Sequence, residues 1–429
     1  MTEGWSAGAA RVPFLVPTGT PMAGYAARPG PATGVLDELT VGALYLESDQ
    51  RQFVLVAADI AAVDAALVDE IAAATNLDRT ELVLCASHTH SGPAGVISRM
   101  HPGDRDQRIP TLRDAFIRST VDAIDLAHRQ MEPVQLLFGQ AESSGLAANR
   151  NDPNGPFDPW VSVLATRNRA GQLTAMLVHF ACHPTILSGE NQHVSADFPG
   201  ALRRTVESTL SPDDAPPIVL FANGAAGDVS TRFTRTSQDQ AEVERVGQGL
   251  ASSAMAALGN VRVLGPGIGS DRVSMTLEPR LLDEVPGRIS GAMIPSETPP
   301  EDSAGERRKA ETRAQGAMLL DRLSAAGTDA VLNQFELPAW RLGDLRLVAI
   351  PGELFASLVG RILQHAPGPA LVLGYANGYV GYLVDDAAEG AGTYEALASP
   401  FAPGTGDIVV QAAVSVMTRV QDSGIGDAS

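Results

Sequence analysis

Five apolar runs in this chain each end in a cluster of polar, chemically able residues, and this pattern constrains the fold more than any other feature. Residues 81–86 run into Ser87-His88-Thr89-His90-Ser91-Gly92-Pro93, and residues 174–182 run into His183-Pro184-Thr185. Residues 218–222 lead into Asn223-Gly224-Ala225-Ala226-Gly227-Asp228-Val229-Ser230, and residues 345–350 into Pro351-Gly352-Glu353. The fifth, residues 370–374, leads into Tyr375-Ala376-Asn377-Gly378-Tyr379, with Tyr382 beyond it. Ligands of open α/β sheets collect outside the carboxyl ends of strands. Five such ends in one chain predict a site built where they meet.

Further strands are expected over residues 39–47, 52–60, 134–141 and 160–168. Helical patterns lie between or after them at 65–75, 111–131, 198–210, 241–258, 306–326 and 354–366. Strands mixed with helices predict an α/β or α+β layered fold on a large mixed sheet. Residues 1–420 read as a single catalytic unit. Residues 278–335, rich in Pro, Gly, Ser and charge, read as a lid or insertion, with a solvated surface excursion as the plainer alternative. Residues 421–429 read as a flexible tail.

The chain has 429 residues, 44% of them hydrophobic and 19% charged, which supports a sizeable core and excludes disorder as the default state. Fifty acids against 31 bases give a net charge of -19, arguing against nucleic acid or an anionic membrane as the main partner. The N-terminus has no signal-peptide pattern, and nowhere are there about 18 consecutive apolar residues, so no stable membrane insertion and a cytoplasmic location are expected. Cys85 and Cys182, the two cysteines, sit in apolar runs and read as buried free thiols.

In extended backbone, His88 and His90 face one side and can address one point, as a metal site at a strand end requires. Two incidental surface histidines would look the same. His183 closes another apolar strand and strengthens the metal reading, whereas His179 reads as a core histidine. Glu190, His193 and Asp197 offer groups that could orient a ligating imidazole, or a merely polar loop. Glu353 is either a ligand or a cap for the helix that follows. The Asn223–Ser230 segment has neither P-loop nor GxGxxG spacing, and no GxSxG elbow surrounds Ser230.

Taken together, HTHSGPAG at 88–95, HPT at 183–185, GDVS at 227–230, PGE at 351–353, NGYVGY at 377–382 and TYE at 393–395 resemble the neutral ceramidase family of zinc-dependent amidases. The opening MAGYAARPGPATGVLDEL is similar as well. The resemblance implies Zn²⁺ held by His88, His183, Glu353 and Tyr382. It implies His90 as the histidine that handles the substrate or its proton, Arg150 as an active-site arginine, and Tyr394 as the group that polarises the scissile carbonyl. Ser230 matches a family serine for which a nucleophilic or a substrate-positioning role can be argued.

Two departures bear on substrate. Residues 383–393 lack the family's tyrosine- and glutamate-rich run, and the chain is expected to lack the C-terminal immunoglobulin-like domain of ceramidases. The expected function is therefore hydrolysis of the N-acyl bond of a small-molecule or lipid-like amide other than ceramide, by a metal-activated water. A metal-dependent esterase, lactonase or phosphoesterase, or an inactive metal- or ligand-binding relative, is the alternative.

Overall fold

The computed structural model describes residues 4–210, 216–281 and 304–420. The tail at 421–429 and most of the Pro- and Gly-rich part of 278–335 lie outside the described residues. Two sheets pack face to face with helices on both outer sides. The larger sheet has nine strands, in the order Ile218–Asn223, Leu173–Phe180, Trp160–Asn168, Glu132–Glu142, Trp5–Pro13, Thr40–Ser48, Arg51–Ala58 and Leu82–Ala86, with Arg262–Val263 paired to Glu132–Glu142. The smaller runs Ile268–Thr276, Gln334–Leu342, Leu345–Ala349 and Ala370–Leu373. Both sheets mix parallel and antiparallel pairs, so the layered mixed-sheet expectation holds.

Side-chain parity explains why these strands read as unbroken apolar runs. In Arg51–Ala58, Phe53, Leu55 and Ala57 face the smaller sheet, while Val54, Val56 and Ala58 pack under the helices. A strand buried on both faces has no polar alternation to show. Trp340 plugs the interface between the sheets. It is fully buried, packs edge-on to Phe53 at 5.5 Å and donates its indole N–H to Thr80 O at 2.6 Å.

Three of the long strands escape the sequence reading. Trp5–Pro13 is rich in Gly and Ala because helix Pro110–Arg129 lies directly on it: a Cβ on Gly8 would sit 2.0 Å from Ala127 O. Ile268–Thr276 and the first half of Gln334–Leu342 carry charge along a partly exposed edge, so their hydrophobic signal is diluted. Helix Ala304–Ala326 is more than a surface excursion, because it packs on the short helix Tyr394–Ala398 with Thr312 and Leu323 buried.

The two outer strands of the large sheet run in opposite senses by hydrogen bonding. A twist of roughly 20–25° per strand turns them back toward each other across the sheet. Both then lean on one segment of the smaller sheet, through the bridges Cys85 to Ala376 and Gly224 to Leu373. All five polar strand ends consequently meet at one place.

Candidate functional site

His88 and His183 follow strands Leu82–Ala86 and Leu173–Phe180, and both are buried. The Nδ1 of His88 lies 2.5 Å from Ala61 O and that of His183 2.6 Å from Ala226 O. A carbonyl can only accept, so both rings donate from Nδ1, which leaves Nε2 as the atom turned toward the site. Both Nε2 atoms face Glu353, whose Oε2 lies 3.0 Å from His183 Nε2 and 3.5 Å from His88 Nε2. His183 Nε2 and Glu353 Oε2 are buried without a hydrogen bond. Two imidazole nitrogens and a carboxylate oxygen converging in a buried space are a donor set that fits a cation.

The third imidazole closes the group. His90 Nε2 is 3.2 Å from His88 Nε2, and the donor atoms of His88, His90 and His183 all lie within 4.8 Å of one another. Burial is the main cause that holds His90 well below its ordinary pKa, and the neighbouring imidazoles add to it. Burial, followed by Arg150, brings His183 down to about 4. Neutral imidazoles are the form a metal binds. Burial alone would raise the Glu353 carboxyl, but His88 and His183 outweigh it and keep the group ionised.

The pair His88 and His90 is not presented by a pleated strand, as the sequence suggests. The strand ends at Ala86, and His88 has φ of 65°, in the left-handed region. Its ring is set by a tight turn and by Tyr375, stacked on it at 3.9 Å. Asp197, Tyr375 and Asn377 are also left-handed, with φ of 60°, 53° and 56°. Non-glycine residues in that region cost on the order of 1 kcal/mol or more and cluster at functional sites.

Glu353 does not cap a helix. It pairs with Tyr382 in a two-residue parallel ladder, and Tyr379 Oη donates to its Oε1. The helix Ala356–His365 is capped from elsewhere, by Asp228 Oδ1 accepting from Ala356 N at 2.8 Å. Tyr382 Oη accepts from Arg150 Nη2 at 3.0 Å, and Arg150 Nε donates to Glu395 Oε1 at 2.6 Å. Burial would lower the Arg150 guanidinium, but Tyr382 and Glu395 hold it well above its usual range. Tyr394 stands edge-on to Tyr382 at 5.7 Å. Ser230 is buried, and its hydroxyl accepts from Arg232 N at 3.2 Å. No imidazole hydrogen-bonds it, and it does not line the cavity described below.

The loop after His183 sends no polar group to the imidazoles. Glu190 and His193 are exposed, and Asp197 closes its own loop by accepting from Leu187 N and Phe198 N. His179 is a core histidine bonded to Val372 O at 3.0 Å, and both cysteines are buried and free.

Sequence reasoning passed over Asn223, which joins the two histidine arms. Its Oδ1 accepts from Cys182 N at 3.2 Å, and its Nδ2 donates to Ser87 O at 2.9 Å and Cys182 O at 3.1 Å. The loop Met22–Arg28, noted in the sequence only for its resemblance, was given no place at the site. Gly24 lies against the His90 ring, Tyr25 packs edge-on to it at 5.0 Å, and the Arg28 guanidinium donates to His90 O. A glycine beside a tyrosine carries no signal of either contact.

A cavity of about 240 Å³ opens beside the imidazoles. Met22, Ile60, Val96 and Ile97 form apolar wall, and Glu353, Tyr379, Tyr382 and Tyr394 also line it. Residues 16–274, more than half the chain, match the family model for the neutral/alkaline non-lysosomal ceramidase N-terminal region. The chain belongs to the neutral/alkaline ceramidase family. Family relatives include the neutral ceramidase of Pseudomonas aeruginosa, 26% identical over 36% of this chain and 24% of that protein. Neutral ceramidase A of Dictyostelium discoideum is 24% identical over 49% of this chain and 33% of its own length. The match thus spans a third or less of these ceramidases. The crystal structure of the Pseudomonas aeruginosa ceramidase has the same fold, with a TM-score of 0.76 at 18% identity over 98% of this chain and 75% of that one.

Proposed function

We propose that the chain is a zinc-dependent hydrolase cleaving an N-acyl amide bond, with His88, His183, Glu353 and Tyr382 as the metal-holding set. The observation that carries this reading is the convergence of His88 Nε2, His183 Nε2 and Glu353 Oε2 in a buried space. His88 and His183 come from the large sheet, while Glu353 and Tyr382 come from segments flanking the small one, so neither half holds the set alone. A bound Zn²⁺ would supply a water acidified from pKa 15.7 toward about 7 and a Lewis acid for the carbonyl.

The chain's own groups do the rest. The His90 imidazole is neutral and adjacent, so it can take a proton and return it to the leaving amine. Tyr394 keeps its phenolic proton, because burial pushes it up to about 12, and can donate to the developing oxyanion. Arg150 acts through Tyr382, since its Nη2 and Nε are committed to Tyr382 and Glu395. Ser230, whose hydroxyl bonds Arg232 N and no imidazole, is assigned to holding the turn that carries Arg232. One geometric fact favours a second reading of the metal set: His90 belongs to the same close group of imidazoles and would be a ligand in place of Tyr382.

The relatives are named ceramidases, but a cavity of about 240 Å³ is below the roughly 300–1,000 Å³ of sites enclosing drug-sized ligands. A smaller amide than ceramide is therefore the proposed substrate. Metal analysis of purified protein, with a matched panel of short-chain amides, esters and phosphoesters, is the test. One equivalent of zinc and amide turnover support the reading. Turnover confined to esters or phosphoesters, or zinc retained after both His88→Ala and His183→Ala, overturns it.

A further inference from the structure

Helix Ala304–Ala326 does more than cover the site. A Cβ on Gly316 would lie 2.9 Å from Tyr394 O, so the helix rests on the backbone of Tyr394. Near its other end, Ala326 Cβ sits where a side chain on Gly103 would begin, 2.7 Å away. The helix is thereby tied to both flanks of the cavity, and Arg322 lines the cavity between these contacts.

Among the described residues lining that cavity, Arg322 is the one lysine or arginine. Other arginines nearby are engaged: Arg28 with backbone carbonyls, Arg150 with Glu395 and Tyr382, Arg235 with Thr185 O. Arg322 makes no ion pair or hydrogen bond among the described residues and is exposed at the rim. His101, Asp104 and Gln107 share that rim. Arg322, His101 and Glu353 line one and the same cavity, so the rim and the metal-holding carboxylate face a common space. Asp104 has Oδ2 occupied by His101 N at 3.0 Å, and its charge disfavours a dianion such as a phosphate monoester.

We infer that Arg322 forms a carboxylate subsite, and that the amide substrate carries one carboxylate close to the scissile bond, as an N-acyl amino acid does. An uncommitted guanidinium in a concave site presents a planar fork that matches a carboxylate. The apolar walls at Met22, Ile60, Val96 and Ile97 would hold a short acyl chain. This inference rests on the amidase reading for its scissile bond but not for its binding test.

That test uses an uncleavable pair, 4-oxononanoate and 4-oxononanamide, in which a methylene replaces the amide nitrogen. Calorimetry on the zinc-loaded wild type is expected to show the acid binding about tenfold more tightly than the neutral amide, the size of one charge-assisted contact at a partly solvated rim. Arg322→Gln is expected to abolish that advantage and leave the affinity for 4-oxononanamide within about twofold. Equal affinities in the wild type, or an equal loss for both ligands in Arg322→Gln, overturns the subsite. Turnover of N-hexanoylglycine is read separately. Discrimination without turnover sinks the amidase reading alone, and turnover without discrimination sinks the subsite alone.

Discussion

Glu353 and Tyr382 are partners in a two-residue parallel ladder, so the backbone sets a carboxylate and a phenol side by side opposite His88 and His183. Changes to residues that only support a metal ligand cost about 10–100-fold in affinity. Removing Glu353 itself is expected to cost more than about 100-fold, and Glu353→Gln should do so with the fold intact. Tyr382→Phe should fall within the 10–100-fold range. His90→Ala should keep its zinc while losing kcat. Chelator competition measures all three, and loss of zinc from His90→Ala at the level of Glu353→Gln would place the third imidazole in the metal set.

Asn223 links the segments just after two strand ends, spanning Ser87 and Cys182 with three buried hydrogen bonds. Asn223→Ala leaves those backbone groups unpaired, at a cost of about 2–4 kcal/mol from uncompensated burial. It also releases the spacing between His88 and His183. The expected outcome is a lower denaturation midpoint together with a fall in zinc affinity. A stability loss with unchanged zinc affinity would show that the two arms are held apart by something else.

The chemistry of the site was legible because the strands that carry it are buried on both faces and end abruptly. His88, His183 and Glu353 each stand just past such a break, Tyr382 lies farther along the last of these segments, and the fold brings all four to one cavity region. Their presentation was not legible. A left-handed φ at His88 leaves no composition signal, and an asparagine such as Asn223 looks like any loop residue until its three partners are known. Strand Trp5–Pro13 was hidden for a related reason, since close packing of a helix selects small residues that lack β-propensity. Glu353 could be read as a cap or as a ligand, and the capping reading falls because the carboxylate that caps the helix is Asp228.

Asp228 gives the stability a pH dependence whose sign follows from its burial. Desolvation pushes its carboxyl up to about 7, with the Ala356 N–H opposing and the charge of Glu395 adding. A carboxyl whose folded pKa lies above its unfolded value of 3.8 contributes stability that is fully present below that value. The contribution is lost as pH rises through about 7. Asp197, raised to about 6 by burial, adds a smaller change of the same sign. His90 and His183, whose pKa values burial lowers, pull the other way over the same range, so the comparison is with Asp228→Asn. In denaturant unfolding of metal-free protein, the wild type should lose more stability, or gain less, between pH 5 and pH 8 than the variant does. The same change in both proteins would remove Asp228 as a source of the pH dependence.

Gly24 has φ of 92°, and a Cβ there would stand 2.4 Å from Cγ of the His90 ring. Backbone conformation and packing both require glycine, because the left-handed angle is strained for any side chain and the displaced atoms belong to a ring wedged between His88 and Tyr25. Gly24→Ala must therefore push His90 or tilt the Met22–Arg28 loop. A shift of about 1 Å in a proton-handling group is expected to cost about 100-fold in kcat. Zinc content should be unaffected, since the donors of His88, His183 and Glu353 are set by other segments. The decisive pattern is low kcat with full metal occupancy and little change in KM. Near-normal kcat in Gly24→Ala would mean that the ring is free to relocate, and the loop would then have no part in positioning it.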